Sequence, residues 1–277
     1  MIHLTRFCIY PLLFCLVSAY VRRHRSEAYP MVYILLEGYH TIGAEENDPP
    51  DTYRMSSTVT LVTIGNLSIV VDTGSSNHGF QLKQIMEESH GIKLGNVNLT
   101  IVTHTHPDHY QNALGFYPAD QLVSTNYVKK EKYLSTPLKH SESMSPLNIN
   151  ELTVLSTPGH TSTDITLIVR NFNNTGKSVA IVGDLFLDRN DTEPATNLTS
   201  TPRWMARSEF PYFQRKHRKL IGCLVDYIIP GHGPMFKVDE HMKNVTLACH
   251  SGQTAVTALF WQHSMVVLVY LAHSLVM

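Results

Sequence analysis

One loop constrains this chain more than any other stretch. The apolar run Val97-Asn-Leu-Thr-Ile-Val102 reads as a buried strand, and it leads directly into Thr103-His-Thr-His-Pro-Asp-His109. His104, His106, Asp108 and His109 are thereby crowded onto one loop. Residues two apart in an extended segment share a face, so His104 and His106 can grip one ion. The turn at Pro107 then lets Asp108 and His109 face a second. Imidazole and carboxylate together suit zinc or iron-group divalent ions. Each ion needs further ligands, and the chain offers them in order: His160 in "TPGHT", Asp184 in "VGD" and His232 in "IIPGHG". Each follows a strand-like apolar run, and loops at strand ends are where a fold gathers ligands from distant parts of a chain.

The region between residues 29 and 243 alternates strand and helix signals. "MVYILLEGY" reads as a strand, and "TVTLVTIGNLSIVVDTG" as a hairpin turning at Gly65-Asn66. "FQLKQIMEESHG" has helical spacing and a Gly stop. "DHYQNALGFY" suits a short helix. "QLVSTN", "LTVLSTPG", "DITLIVRN", "KSVAIVGDLF" and "LVDYIIPGHG" read as strands closed by polar or Gly-rich turns. "WMARSEFPYFQRKHRKLI" reads mostly as a helix with Pro211 as an interruption. The expected class is α/β (α+β), with stacked sheets covered by helices.

HxHxDH, then His, Asp and His, each at a strand end, resembles the metallo-β-lactamase superfamily. The resemblance implies a four-layer αββα sandwich. It implies that His104, His106 and His160 hold one metal, that Asp108, His109 and His232 hold the other, and that Asp184 bridges them. The implied cofactors are two divalent ions, zinc first, with manganese or iron as alternatives. Two such ions ~3.5–4 Å apart lower the pKa of a shared water and polarise the substrate oxygen, while Asp108 serves as the catalytic carboxylate that orients the nucleophile and takes its proton. "YILLEGY", "VVDTG", "VTHTHPDHYQNALGFYPADQLVS", "VAIVGDLF" and "DYIIPGHGPMFKV" are similar, more narrowly, to the metallo-β-lactamase domain-containing protein 1 branch, related to the glyoxalase II group. That branch implies an endoribonuclease acting on the 3′ end of histone pre-mRNA, a homodimer, and a place in the cytoplasm or nucleus. The resemblance also excludes antibiotic hydrolysis as a main role, because true β-lactamases lack the bridging Asp.

"IVVDTGSS" invites another reading, since pepsin-like proteases carry a catalytic aspartate in Asp-Thr-Gly. Such a protease needs a pair of these motifs so that two carboxylates share a proton. Only one is present, and a protease leaves the histidine loops unexplained. Asp72 is therefore expected to be a buried structural carboxylate bonding loop amides. His40, His78, His90, His140 and His217 read as ordinary histidines.

Composition speaks to partners and compartment. A net charge of −1 draws the chain to neither nucleic acid nor an anionic membrane. The basic run Arg215-Lys-His-Arg-Lys219 reads first as a solvated helix face and second as a nucleic-acid groove. The run between Asp184 and His232 leaves no room for an inserted nucleic-acid domain, and the one after His232 none for a glutathione-binding domain. Residues 1–24 have the layout of a signal peptide or signal anchor. Sequons at Asn66, Asn98, Asn173, Asn190, Asn197 and Asn244 favour export, with Asn98 in a strand and so a poor acceptor. Cys223 and Cys249 admit one disulfide without demanding it. Residues 251–277 form a hydrophobic, uncharged tail that suits a membrane attachment as well as it suits a helix packed on the domain. The expected location is secreted or cell-surface. Three functions follow: an RNA-cleaving phosphodiesterase, a hydrolase of a small extracellular ester, thioester or lactone, and a non-catalytic metal-binding ectodomain.

Overall fold

A computed structural model describes residues 28–42, 52–140, 142–192, 202–247 and 249. The leader, the C-terminal tail and Asn197 lie outside them. The first sheet has seven strands in the order β1 (Met31–Leu36), β4 (Val59–Ile64), β5 (Leu67–Val71), β6 (Leu99–Val102), β7 (Asp120–Val123), β8 (Asn126–Lys129) and β9 (Lys132–Leu134). The second has six: β10 (Ser143–Met144), β11 (Leu152–Ser156), β12 (Ile165–Val169), β13 (Val179–Ile181), β14 (Tyr227–Ile229) and β15 (Phe236–Lys237). A separate antiparallel pair joins β2 (Tyr39–Ile42) to β3 (Tyr53–Ser56).

Strand periodicity sets the layers. Ile69, Val71, Leu99, Ile101 and Leu122 of the first sheet pack against Val154, Leu167, Val169, Ile181 and Ile229 of the second. The alternate residues point outward. Leu61 and Val70 meet Leu82 and Met86, on helix α1 (Gly79–Gln84) and the wider turn Ile85–Ser89 that continues it. Ile168, Ala180 and Ile228 meet Ile221 of α3 (Pro211–Leu224), and the packing continues to Leu247. The result is helix on sheet on sheet on helix, the αββα arrangement. Each fully buried Val, Leu or Ile side chain contributes roughly 1.5–3 kcal/mol.

Two local expectations are refined. Residues 107–116 form a short helix α2 (Pro107–Tyr110) and a separate 3-10 turn (Ala113–Phe116), rather than one helix. Pro211 does not interrupt a helix but starts one. It sits at the first turn of α3, where its missing N–H has no partner to lose, and the residues before it form only the turn Met205–Arg207. Cys223 of α3 is disulfide-bonded to Cys249, with Cα atoms 5.8 Å apart.

Strand direction places the loops that matter. β5, β6 and β7 run parallel, so the residues after β5 and β6 emerge together. β13 and β14 are also parallel, and β11 shares their direction through two antiparallel steps across β12. The loops after β11, β13 and β14 therefore emerge on one edge of the second sheet.

Candidate metal centre

The loop after β6 carries His104, His106, Asp108 and His109, and the second sheet brings His160, Asp184 and His232 to meet it. His106 Nδ1 lies 3.0 Å from both His104 Nε2 and His160 Nε2. Three converging ring nitrogens suit one ion with Zn–N bonds of ~2.0–2.1 Å. On the other side, Asp108 Oδ2 lies 3.6 Å from His109 Nε2 and 3.6 Å from His232 Nε2. Asp184 stands between the groups. Its Oδ2 is 3.3 Å from His160 Nε2, its Oδ1 is 3.2 Å from His109 Nε2, and His232 Nε2 lies 3.2 Å from Oδ1 and 3.3 Å from Oδ2.

The surroundings fix which nitrogens face inward. His109 Nδ1 donates to Asp72 Oδ2 at 2.8 Å, and His232 Nδ1 donates to the Ser56 carbonyl at 3.0 Å. Both acceptors demand an N–H, so each ring turns Nε2 toward the centre. Asp72 also accepts from the Thr103 amide at 2.8 Å and the Thr103 hydroxyl at 2.9 Å. Asp72 thus bonds a loop amide as expected, and it orients His109 as well. Two glycines explain the repeated Pro-Gly-His. A Cβ on Gly159 would collide with the Gln214 backbone of α3, and one on Gly231 with the Asp184 carboxylate. From α3, Gln214 Nε2 donates to the Asp184 carbonyl at 3.0 Å.

Charge balance favours a cation here. Burial opposes a charge on His109, but Asp72 and then Asp184 outweigh it and hold its pKa well above the ordinary histidine value. Burial likewise opposes a charge on His232, and Asp184 outweighs it. Burial would raise Asp184, but His232, His109 and His160 pull it well below the carboxylate range. Burial and then the neighbouring His109 push His104 well down. Asp108 Oδ2, His109 Nε2 and Asp184 Oδ1 are buried and face one another at 3.2–3.6 Å, with no well-formed hydrogen bond among the described residues. Leaving such atoms unmatched costs about 1–3 kcal/mol apiece, more for charged groups. The donor atoms form two sets, His104, His106, His160 and Asp184, and Asp108, His109 and His232, with all atoms of a set within 4.8 Å of one another. Acidic and imidazole donors of this kind, orphaned and converging, fit divalent metal.

The other histidines divide. His217 Nδ1 donates to the Pro158 carbonyl at 2.7 Å, and His90 packs edge-on against Tyr33. His40 is different. It stacks on Tyr53 and lies 6.2 Å, ring centre to ring centre, from His232. Burial and then the charge of Arg207 pull its pKa down. The basic run also divides, because Arg218 turns inward to Asp191 at 3.0 Å and stacks on Phe186. It is not part of a solvated face.

An αββα sandwich with this centre at its strand ends defines a metallo-β-lactamase-type hydrolase. Residues 52–232 match the family model described as the metallo-beta-lactamase superfamily, and the chain belongs to that superfamily, whose members are metal-dependent hydrolases. It is similar to metallo-beta-lactamase domain-containing protein 1 from Xenopus laevis, 32% identical over 210 residues that cover 76% of this chain and 82% of that protein. The Homo sapiens protein of the same name is 31% identical over 237 residues, covering 75% and 82%. An uncharacterized Caenorhabditis elegans protein is 31% identical over 193 residues, 69% of this chain and 51% of that protein, so the chain spans about half its length. Among solved structures, a metallo-beta-lactamase from Thermotoga maritima shares the fold, with a TM-score of 0.53 at 16% identity, covering 76% of this chain and 99% of that one.

Proposed function

We propose that the two donor sets hold two divalent ions, zinc first, with Asp184 bridging them, and that the chain hydrolyses a phosphodiester, the class its family resemblance implies. The observation that carries the two-ion reading is the position of Asp184, with Oδ2 toward His160, Oδ1 toward His109, and His232 within reach of both. Ions bound there would supply a nucleophile at neutral pH and polarise the phosphoryl oxygen. The chain's own residues do the rest. Asp108 is partly open to solvent beside the buried ligands, where it takes the proton of the attacking water. Asp72 and the Ser56 carbonyl keep His109 and His232 in the ligating tautomer.

A second reading rests on the Cys223–Cys249 disulfide. Disulfides persist in oxidising compartments, and Asn66, Asn190 and Asn244 are exposed sequons. Both features support an exported protein, secreted or attached at the cell surface through its tail, for which a small ester, thioester or lactone is the natural substrate. The test is turnover of single-stranded RNA against thioesters and lactones by the zinc- or manganese-loaded chain beside His106→Ala. Only activity lost in the variant counts. RNA cleavage lost with His106 supports the phosphodiesterase reading; acyl turnover without it supports the second.

A further inference from the structure

The β2–β3 pair and the turn Met205–Arg207 converge beside the His232 side of the centre. His40 and Tyr53 are diagonal neighbours, since Ile42 pairs with Tyr53 and His40 with Met55, so both side chains lie on one face. Their rings stack with centres 5.7 Å apart. The Arg207 guanidinium sits 5.2 Å from the Tyr53 ring centre. Both supports are tied to the metal centre. β3 ends at Ser56, whose carbonyl accepts from His232, and the Thr58 amide donates to the Gly231 carbonyl at 2.7 Å. Beyond Arg207, the Ser208 hydroxyl and the Phe210 amide both donate to the Gly159 carbonyl at 2.8 Å, and the Glu209 amide donates to the His160 carbonyl at 3.1 Å. Tyr53 and Arg207 therefore bridge the His232 loop to the His160 loop.

Two groups in this bridge have polar atoms left unmatched among the described residues. His40 Nε2 is buried with no hydrogen-bond partner. Arg203 is paired with Asp188, but Arg207 makes no ion pair among the described residues. A guanidinium held against an aromatic ring keeps its N–H fork free for an oxyanion, and an imidazole nitrogen adds a further polar contact.

We propose that His40, Tyr53 and Arg207 form a substrate subsite beside the metal centre that takes an oxyanion of the substrate next to the bond being cleaved, a phosphate first and a carboxylate second. The subsite is distinct from the seven metal-ligand candidates and rests on the hydrolase reading above. Arg207 supplies the charge, Tyr53 presents it, and His40 closes the side toward His232. A phosphodiester chain or an acidic acyl substrate would thereby be held with its reacting group over the ions.

Calorimetric titration of inorganic phosphate and of succinate into the zinc-loaded full chain tests this, with zinc content and thermal midpoint measured for every variant. Arg207→Ala should weaken phosphate binding by about tenfold or more, with zinc content and midpoint unchanged, while Arg207→Lys retains most of the affinity. His40→Gln, which preserves a polar head, should fall between them. Tighter binding of phosphate than of succinate assigns the subsite to a phosphoester, and the reverse assigns it to a carboxylate-bearing substrate. Phosphate binding that vanishes in His106→Ala and ignores Arg207 places the anion on the metals and overturns the proposal, as does a zinc-loaded wild type that binds neither anion. Arg207-dependent binding in a protein that turns over no ester or phosphodiester keeps the subsite and sinks the hydrolase reading alone.

Discussion

The first sheet delivers its share of the metal centre on a single loop, His104 to His109, while the second delivers His160, Asp184 and His232 from the ends of three strands. The first side is braced by a buried carboxylate, Asp72, which holds both Thr103 and the His109 ring, and by the Thr73 and Ser57 amides, which donate to the His109 and Asp108 carbonyls. The second is braced piecemeal. Ser56 holds His232, Gln214 holds the Asp184 backbone, and Asp164 accepts from the Thr161 amide beside His160 at 2.7 Å. Local spacing suffices for the first side. The second depends on register, Ile181 opposite Ile229, and on helix α3 approaching closely over Gly159. A contiguous motif shares its anchors along one loop, whereas an assembled one needs an anchor for every strand.

Asp184 comes from the second sheet yet lies 3.2 Å from His109 of the first and 3.3 Å from His160 of its own, so its loss should have the largest effect. Asp184→Ala is expected to lower bound zinc below half of the wild-type content and turnover by more than about a hundredfold, read by elemental analysis and initial rates. Normal zinc content in that variant would show that neither donor set needs Asp184. Next comes the carboxylate anchor of the first side. Asp72→Ala should weaken metal affinity by about 10–100-fold in chelator competition, with Asp72→Asn milder because it keeps an acceptor. Equal affinity in both variants and wild type would remove Asp72 from the bracing scheme.

Stability changes should sharpen the contrast on the second side. Cys223→Ser is expected to cost about 2–4 kcal/mol in denaturant unfolding, since the bridge closes a loop of sequence separation 26 between α3 and the end of the described domain. Gly231→Ala forces a Cβ into the Asp184 carboxylate and should cost about 1–3 kcal/mol, with metal content falling alongside. A stable, fully metallated Gly231→Ala protein would mean that this close approach is dispensable.

The smallest effect is a slope. Burial raises the Asp164 carboxyl to a pKa of about 7, despite the bonds from Thr161. The folded state then holds a proton that the unfolded chain has already lost, so stability should fall as pH rises from the ordinary carboxylate range to about 7. Asp164→Asn should flatten that slope in thermal melts across the same window. An unchanged slope would assign it to another group.

Much of this could be read from the residues. His104, His106, Asp108 and His109 announce themselves by spacing, and the Pro-Gly-His repeats flag His160 and His232 because glycine is needed where Gln214 and Asp184 press close. The role of Asp72 was half legible: its motif marks a buried carboxylate, but its bond to His109 depends on β5 and β6 running parallel. His40 carries no local signal at all. It sits in a short strand whose partner lies beyond a long connection, and only the pairing with β3 brings it against Tyr53. Arg218 looked like one charge in a basic run, and the helix phase turned it inward to Asp191.

By itself the sequence determined which segments are strands and which histidines and carboxylates follow them, because strand periodicity and residue chemistry are local properties that survive any arrangement of the chain. Which oxygen of Asp184 faces which histidine, which ring nitrogen is left free, and whether an arginine meets solvent or a carboxylate were decided only by the tertiary structure. Those depend on angstrom-scale distances between segments far apart in the chain, and such distances exist only once the sheets have stacked.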